Sequence, residues 1–158
     1  MKIDGKLYGQ TISLARHFAK KGGLLGNDEY SELHISSLTE FIVLDCVEYY
    51  GSRLKNLLMS SASDEEILKF KDSNMERFKE NMQVLVKYIK GDFFEGDKLC
   101  LADIALAHLI NGLSLFLSKG YESEIDPMIT KVYNNVRNSP GIKEYLEGST
   151  LPLMFTHS

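Results

Sequence analysis

The sequence is poor in the residues that mark crosslinked, linker-rich or membrane-embedded proteins. It has no tryptophan, three prolines and two cysteines, Cys46 and Cys100. The cysteines fall in separate predicted helices with no metal-ligand or redox spacing, so we expect reduced, buried thiols and no metal site. No apolar run is long enough to cross a bilayer, and residues 1–10 lack the apolar core of a signal peptide. We therefore expect a cytoplasmic protein without a secretory signal.

Runs of positive charge are also missing. The 158 residues carry a formal net charge of −4, and no basic cluster interrupts the chain. We therefore expect neither a nucleic-acid partner nor a membrane partner. Hydrophobic residues make up 44% and charged residues 25% of the sequence, as in ordinary globular proteins. A chain of this length is long enough for one domain with a sizeable core.

What the sequence does contain is helical periodicity, with apolar residues every three or four positions. This spacing predicts helices over residues 10–21, 28–58, from a start signal at 61–66 to about 90, 101–117, 121–138 and 140–146. The start of the fifth helix is open, because Asp126-Pro127 is also a start signal. Residues 1–4 suit the end of a strand, followed by an Asp4-Gly5 turn. No stretch alternates with period two for long, so the predicted fold class is all-α.

The most informative stretch is residues 91–106, where a glycine-punctuated loop runs into a helix. Asp103 lies three residues after Cys100, the spacing at which an acid in the first turn reaches back to free backbone N–H groups. Residues 104–117 are almost wholly apolar, which predicts a helix at the centre of a bundle. We expect His108, on that helix, to be a core histidine with a polar partner.

This stretch resembles G-D-x-[LF]-[TS]-x-A-D, a signature of the C-terminal helical domain of cytosolic glutathione S-transferases. Five further motifs resemble the same family, nearest to its sigma class, in the same order: Ile3-Asp4-Gly5, Gln10-Thr11, residues 12–19, Gly23-Leu24-Leu25-Gly26 and residues 139–146. The resemblance implies an all-α glutathione S-transferase C-terminal helical bundle over residues 25–158. It also implies that residues 1–24 are a remnant of the thioredoxin-like N-terminal domain, namely its last turn and helix.

The resemblance implies conjugation of glutathione to electrophilic substrates, with glutathione as co-substrate and no cofactor. The family's catalytic tyrosine or serine belongs to the thioredoxin-like half, most of which we expect to be missing, so we assign no catalytic residue. Gln10 and Thr11 match the family's Gln-Ser pair, which holds the γ-glutamyl carboxylate of glutathione at a helix start. A plain helix cap explains the same two residues, and that alternative stays open at this point.

The resemblance also implies a wall for the electrophile. Its candidate residues lie on the long second helix and in the C-terminal tail: Tyr49, Tyr50, Arg53, Leu153 and Phe155. The family's reaction needs a thiolate, and a free thiol with a pKa near about 8.5 is mostly protonated at neutral pH. These residues supply a surface for the substrate, and no evident group among them activates the thiol.

Two positions depart from the family's pattern. Cys100 stands where the family carries a Thr or Ser as helix cap, and a thiol is a weak hydrogen-bond acceptor. We expect Cys100 to cap poorly and Asp103 to serve the start of this helix. Asp45 lies one residue away from the place of an aspartate that reaches across the dimer in sigma-like members. One residue is about 100° around a helix, so we expect Asp45 to face solvent.

Two functions therefore stay open. The first is a member of the glutathione S-transferase family that conjugates glutathione only if a full-length form exists. The second is a non-catalytic helical module of the same fold, crystallin-like or an assembly domain. In both cases we expect a homodimer or another protein partner, because the apolar residues of the 10–21 helix lose the cover of the missing half.

Overall fold

The computed structural model describes residues 1–60, 62–117 and 125–148. Within these ranges the chain is mostly helical, with one two-stranded hairpin near the N-terminus, which confirms the predicted fold class. Leu153 and Phe155, both assigned to the electrophile wall, lie outside the described residues. None of the described helices is both long enough and apolar enough to span a membrane.

The N-terminal hairpin pairs β1 (Lys2–Ile3) with β2 (Lys6–Leu7) in antiparallel register. Asp4 and Gly5 between them have φ angles of 48° and 82°. Two successive positive φ angles are typical of a tight two-residue hairpin turn, for which Asp-Gly is a preferred sequence. The structure confirms the predicted turn and adds a second strand, β2, that no sequence pattern predicts.

The helices follow the predicted order. They are α1 (Thr11–Lys21), α2 (Glu29–Glu40), a π-helical segment (Phe41–Gly51), α3 (Ser52–Met59), α4 (Asp64–Val86), α5 (Leu101–Leu117), α6 (Pro127–Asn138) and α7 (Ile142–Gly148). The second predicted helix is thus divided among α2, the π-helical segment and α3, which follow one another without an intervening loop. A π-helix is wound more loosely than an α-helix, with i→i+5 hydrogen bonds.

Side-chain caps explain where two of these helices begin. The Oδ1 atom of Asp28 accepts hydrogen bonds from the backbone N–H groups of Tyr30 and Ser31, at 2.9 and 3.0 Å. Before α4, the N–H of Ser63 donates to Glu66 Oε2 at 2.8 Å, and the N–H of Glu66 donates to Ser63 Oγ at 3.3 Å. This reciprocal pair is a capping box, within the start signal predicted at 61–66.

The sequence left two starts open for the fifth predicted helix, residue 121 and Asp126-Pro127. In the structure this helix, α6, begins at Pro127. Pro127 is its first residue, where a missing N–H costs nothing. The Oδ1 atom of Asp126 accepts a hydrogen bond from the N–H of Met128 at 2.8 Å. The aspartate and the proline together account for the start of α6.

The core forms around α5, as predicted. Helix α5 contacts α1, α2, the π-helical segment and α6, and it buries Ala102, Leu106 and Leu109. The other elements contribute large, fully buried side chains to the same core: Ile35, Ile42, Tyr50, Phe78, Leu85, Phe94, Ile129 and Val132. The central position of α5 follows from its apolar sequence.

The prediction for His108 is wrong. Its side chain is exposed and lies in an open groove with residues of α6 and α7. The described helices cover α5 on only part of its circumference. An almost uniformly apolar helix does not reveal which of its sides is left open, so the sequence could not place His108.

Candidate functional site

The start of α5 is a buried polar site built around one carboxylate. Asp103 is fully buried. Its Oδ2 atom accepts a hydrogen bond from the N–H of Cys100 at 2.8 Å, and its Oδ1 atom accepts one from the N–H of Phe94 at 2.9 Å. Burial raises the pKa of Asp103, and the hydrogen bonds from Cys100 and Phe94 oppose that rise. The carboxylate therefore joins the preceding loop to the first turn of the central helix.

The two cysteine thiols are unsuited to nucleophilic chemistry. Cys46 and Cys100 are both buried and both free of disulfides. Burial raises the pKa of Cys46 to about 12 and also raises the pKa of Cys100, with the charge of Asp103 as the second cause. The reactive form of a cysteine is its thiolate. These two side chains therefore belong to the core.

The start of α1 carries Gln10 and Thr11, and both are exposed. Gln10 has φ 65° and ψ 107°, a backbone conformation that residues other than glycine rarely adopt. No side chain caps the N-terminus of α1. The side chain of Thr11 therefore does not act as a helix cap.

Helix α1 is fastened to the bundle at several points. The guanidinium of Arg16 forms an ion pair with Glu40, and Lys20 Nζ lies 2.8 Å from Glu32 Oε2. After the helix, the carbonyl of Leu24 accepts a hydrogen bond at 2.9 Å from the N–H of Leu101, the first residue of α5. These contacts attach the middle and the C-terminal end of α1 to the bundle.

The second group of candidates meets where the π-helical segment and α3 face α4. The guanidinium carbons of Arg53 and Arg77 lie 4.2 and 4.0 Å from the centroid of the Tyr49 ring. The hydroxyl of Tyr49 donates to Asn74 Oδ1 at 3.1 Å. Two cations beside one ring hold its orientation through cation–π attraction. The structure thus brings together two predicted residues, Tyr49 and Arg53.

Tyr50 requires a correction. Its side chain is fully buried, and its ring packs edge-on against Tyr49 and Phe78, at centroid distances of 5.0 and 5.6 Å. The Nδ2 atom of Asn81 lies 3.4 Å from its hydroxyl. Tyr50 is therefore a core residue and does not line a surface that an electrophile could reach. In a π-helical segment, as in an α-helix, consecutive side chains point in different directions, which separates Tyr50 from Tyr49.

Sequence reasoning missed Arg77 and Asn74. Both lie on α4, whose apolar stripe the sequence shows clearly, but they reach Tyr49 from a different helix. The only indication in the sequence was the spacing of three residues between Asn74 and Arg77, which puts them on one face of α4.

Asp45 is exposed, as expected for an acid that faces solvent. Among the described residues, no group of three or more His, Cys, Asp or Glu side chains is arranged to hold a metal ion.

Comparisons with known proteins agree with this architecture. The family model described as "Glutathione S-transferase, C-terminal domain" matches residues 40–149. Glutathione S-transferase 4 of Caenorhabditis elegans is 25% identical over 151 residues, which cover 92% of this chain and 70% of the relative. Glutathione S-transferase 2 of Manduca sexta is 23% identical over 151 residues, which cover 94% of this chain and 72% of the relative.

A solved structure shows the same similarity in three dimensions. It is a monomeric glutathione S-transferase from the human hookworm Necator americanus, 28% identical in sequence, and it superposes with a TM-score of 0.70. The superposition covers 92% of this chain and 71% of the hookworm chain. The family model spans most of the chain, and the fold and the relatives agree with it. The chain therefore belongs to the glutathione S-transferase family.

Proposed function

We propose that this chain is the helical part of a glutathione-binding protein, and that Gln10 and Thr11 form one edge of its glutathione site. The observation that carries this proposal is the start of α1, which combines a strained Gln10 backbone with a helix N-terminus that no side chain caps. Strained residues persist where the surrounding structure holds them, and they cluster at functional sites. A helix N-terminus favours a carboxylate through its free N–H groups and its dipole.

Glutathione offers a suitable group in its γ-glutamyl carboxylate. The side chains of Gln10 and Thr11 supply an amide and a hydroxyl beside the N–H groups at the start of α1, which no side chain caps. We propose that these donors hold the carboxylate. The Tyr49 ring, held by Arg53 and Arg77, forms one wall for the electrophile in this proposal. Leu153 and Phe155 remain proposed members of the same wall.

Conjugation needs a group that stabilises the glutathione thiolate. Among the residues that the structure describes, none of the candidate site residues discussed above is suited to this role. Both cysteines are buried with raised pKa values, and Tyr50 is enclosed in the core. We propose that the thiol-activating hydroxyl comes from a thioredoxin-like half, of which residues 1–24 are the end, and that residues 25–158 are the helical domain. The 158-residue chain then binds glutathione without catalysing its transfer.

Isothermal titration of the chain with glutathione tests the binding site. We expect Gln10→Ala and Thr11→Ala each to weaken binding by about tenfold, because a hydrogen bond to a charged group contributes about 1.5–3 kcal/mol. Thr130→Ala is the matched control, since Thr130 is likewise an exposed threonine but lies on a different helix, α6. Equal affinities for all four proteins, or no binding by the parent, would contradict the proposal.

An enzyme assay tests the catalytic part separately. We expect the chain alone to leave the reaction of glutathione with a general aromatic electrophile at its uncatalysed rate. Turnover well above that rate, abolished by Gln10→Ala, would show that the chain carries its own thiol-activating group. Binding without turnover supports both parts of the proposal.

A second function, as a non-catalytic interaction module, is favoured by one specific observation. Six large apolar side chains within residues 1–33 are exposed: Met1, Leu7, Tyr8, Phe18, Tyr30 and Leu33. A contiguous apolar patch marks an interaction site, and we propose that these side chains contribute to one. We propose that a second copy of the chain or another protein covers it. The hookworm relative is described as monomeric.

Light scattering at micromolar concentration tests this second function. We expect the parent to self-associate and Phe18→Glu to shift it toward the monomer, because a buried carboxylate without a partner is costly. Leu68→Glu is the matched control, since Leu68 on α4 is similarly exposed, at 51%. A monodisperse parent monomer that recruits no partner would rule out the interaction module.

A further inference from the structure

Two arginines beside one tyrosine ring carry positive charge that the described part of the chain does not pair. We call Arg53, Tyr49 and Arg77 the arginine–tyrosine stack. Both arginines are exposed, and their guanidinium carbons lie 4.2 and 4.0 Å from the centroid of the Tyr49 ring. Among the described residues, neither guanidinium has a carboxylate partner, whereas the guanidinium of Arg16 pairs with Glu40.

Acids occur on the same two elements, but they do not pair with the stack. Asp45 and Glu48 lie on the π-helical segment, Glu76 and Glu80 lie on α4, and all four are exposed. Within the described ranges, none of them forms an ion pair with either arginine of the stack. Each guanidinium therefore keeps N–H donors for an acceptor that comes from outside the chain.

The ring of the stack is held in place from the bundle side. The hydroxyl of Tyr49 donates to Asn74 Oδ1 at 3.1 Å, and Asn74 Nδ2 donates to the carbonyl of Phe70 at 2.7 Å. Asn74 is buried, so its amide fixes the ring on α4. Cation–π attraction keeps the two arginines beside the ring without using their N–H donors. A ligand therefore meets two arginines that are already positioned, which reduces the entropy lost on binding.

We propose that the arginine–tyrosine stack binds a phosphate monoester in its dianionic form. A carboxylate has two oxygens, and one guanidinium satisfies it through two parallel N–H···O bonds, which leaves the second arginine unused. A phosphate monoester carries about 1.5–2 negative charges and three acceptor oxygens at neutral pH, enough for both arginines. Because both guanidinium distances end at the same ring centroid, one small group can contact both side chains.

Titration calorimetry of the full chain with phenyl phosphate and phenyl sulfate tests the proposal. The two probes share their phenyl body, and only phenyl phosphate becomes a dianion. We expect phenyl phosphate to bind at one site per chain and phenyl sulfate to bind about tenfold more weakly. No heat of binding with phenyl phosphate up to about 1 mM, or equal affinities for the two probes, would overturn the proposal.

This inference goes beyond the glutathione site and does not depend on it. Tyr49, Arg53 and Arg77 stand in both proposals, but the titration with phenyl phosphate contains no glutathione. Loss of glutathione binding in Gln10→Ala leaves the phosphate result unchanged, and failure of phenyl phosphate to bind leaves the start of α1 untested. The two proposals can therefore fail separately.

Three arginine variants locate the site. Arg53→Gln and Arg77→Gln should each weaken phenyl phosphate by about tenfold, because each removes one of the two guanidiniums. Arg137→Gln is the matched control, since Arg137 is an exposed arginine that lies alone beside a tyrosine, 5.5 Å from the centroid of Tyr133. It should leave the affinity unchanged. Equal losses in all three variants would show that general positive charge attracts the probe and would overturn the proposal.

Tyr49→Leu separates a positioned site from two independent surface charges. It removes the ring and keeps both arginines, so we expect phenyl phosphate to bind about two- to fivefold more weakly. Urea denaturation shows whether this variant folds, and the arginine variants decide the question if it does not. A folded Tyr49→Leu variant with the parent's affinity would show that the ring does not position the arginines, and the proposed stack would be wrong.

A peptide and a spectrum complete the test. A pentapeptide with a central phosphotyrosine distinguishes a phosphorylated side chain from a small phosphate monoester. Peptide binding about tenfold tighter than phenyl phosphate supports the first source, and equal or weaker binding supports the second. In amide NMR spectra, phenyl phosphate should shift Arg53 and Arg77. Shifts of Ile12 and Ser13 in their place would put the anion at the start of α1 and would overturn the proposal.

Discussion

The N-termini of α1 and α5 differ in burial and in hydrogen bonding. The start of α5 is buried and hydrogen-bonded, and the start of α1 is exposed and uncapped. At α5, a buried carboxylate from within the helix satisfies backbone N–H groups, and the side chain of Asp103 has no exposure to solvent. At α1, the neighbouring residues are exposed, no side chain caps the helix, and Gln10 keeps a strained backbone. A free helix N-terminus attracts an anion in both cases. The chain supplies its own anion at α5 and leaves α1 open.

The difference separates a structural site from a ligand site by physical criteria. Residue type alone does not separate them, because the polar residue Thr11 starts the open helix and the weakly polar Cys100 precedes the closed one. The separating features are burial, internal hydrogen bonding and backbone strain. If this comparison is correct, changes at the α5 start should lower stability, and changes at the α1 start should alter binding.

The largest effect should come from Asp103→Ala. This change leaves the N–H groups of Phe94 and Cys100 buried without an acceptor, and each such group costs about 1–3 kcal/mol. We expect the free energy of unfolding to fall by about 2–5 kcal/mol, measured by urea denaturation. Asp28→Ala is the control, because Asp28 also accepts two backbone N–H groups, but at an exposed helix start. It should cost about 0.5–2 kcal/mol.

The stability losses of the two aspartate variants together test whether burial makes the hydrogen bonds at the start of α5 stronger. A larger loss of stability for Asp103→Ala than for Asp28→Ala would confirm that burial increases what the Asp103 hydrogen bonds contribute to the free energy of unfolding. Equal urea midpoints for Asp103→Ala and the parent would show that the loop–helix junction contributes nothing to stability, and our account of the α5 start would be wrong.

A smaller effect of opposite sign should come from Gln10→Gly. A strained backbone conformation costs about 1–3 kcal/mol, and glycine adopts positive φ without that strain but loses more entropy on folding. We expect a net gain in stability of about 1 kcal/mol by urea denaturation, together with weaker glutathione binding. Asp4→Gly serves as control, because Asp4 has a positive φ in a turn that tolerates it. A Gln10→Gly variant that loses stability would show that the backbone at Gln10 is not strained.

The smallest effect should come from Cys100→Thr. The family carries a hydroxyl at this position, and a hydroxyl accepts hydrogen bonds better than a thiol. Because Asp103 already bonds to the N–H of Cys100, little is left for a better cap to satisfy. We expect a gain of about 0.5 kcal/mol in the free energy of unfolding. A marked loss would show that the buried site has no room for the extra methyl group.

Local signals in the sequence were enough to predict most of the helices. Caps, breakers and apolar spacing act within a few residues, so the start of α4 at Ser63 and the central position of α5 could be read directly. The spacing of Asp103 from Cys100 likewise pointed to the hydrogen bond that the structure contains. No local sequence pattern predicts the π-helical segment, so it could be found only in the structure.

Contacts between helices could not be predicted from the sequence. Tyr49 and Tyr50 are adjacent, but one meets two arginines and the other fills the core. Which of them faces inward depends on how the π-helical segment sets the rotation of the helix against α4. The exposure of His108 depends in the same way on where α6 and α7 pack. Gln10 was singled out by resemblance, and its positive φ could be found only in the structure.

The central claim is that the start of α1 is open to an anion and the start of α5 is closed. The most direct measurement is an amide NMR titration of the chain with glutathione. We expect saturable shifts of the Ile12 and Ser13 amides at the start of α1, and unchanged Leu101 and Ala102 amides at the start of α5. Saturable shifts at both helix starts, or at neither, would contradict the account.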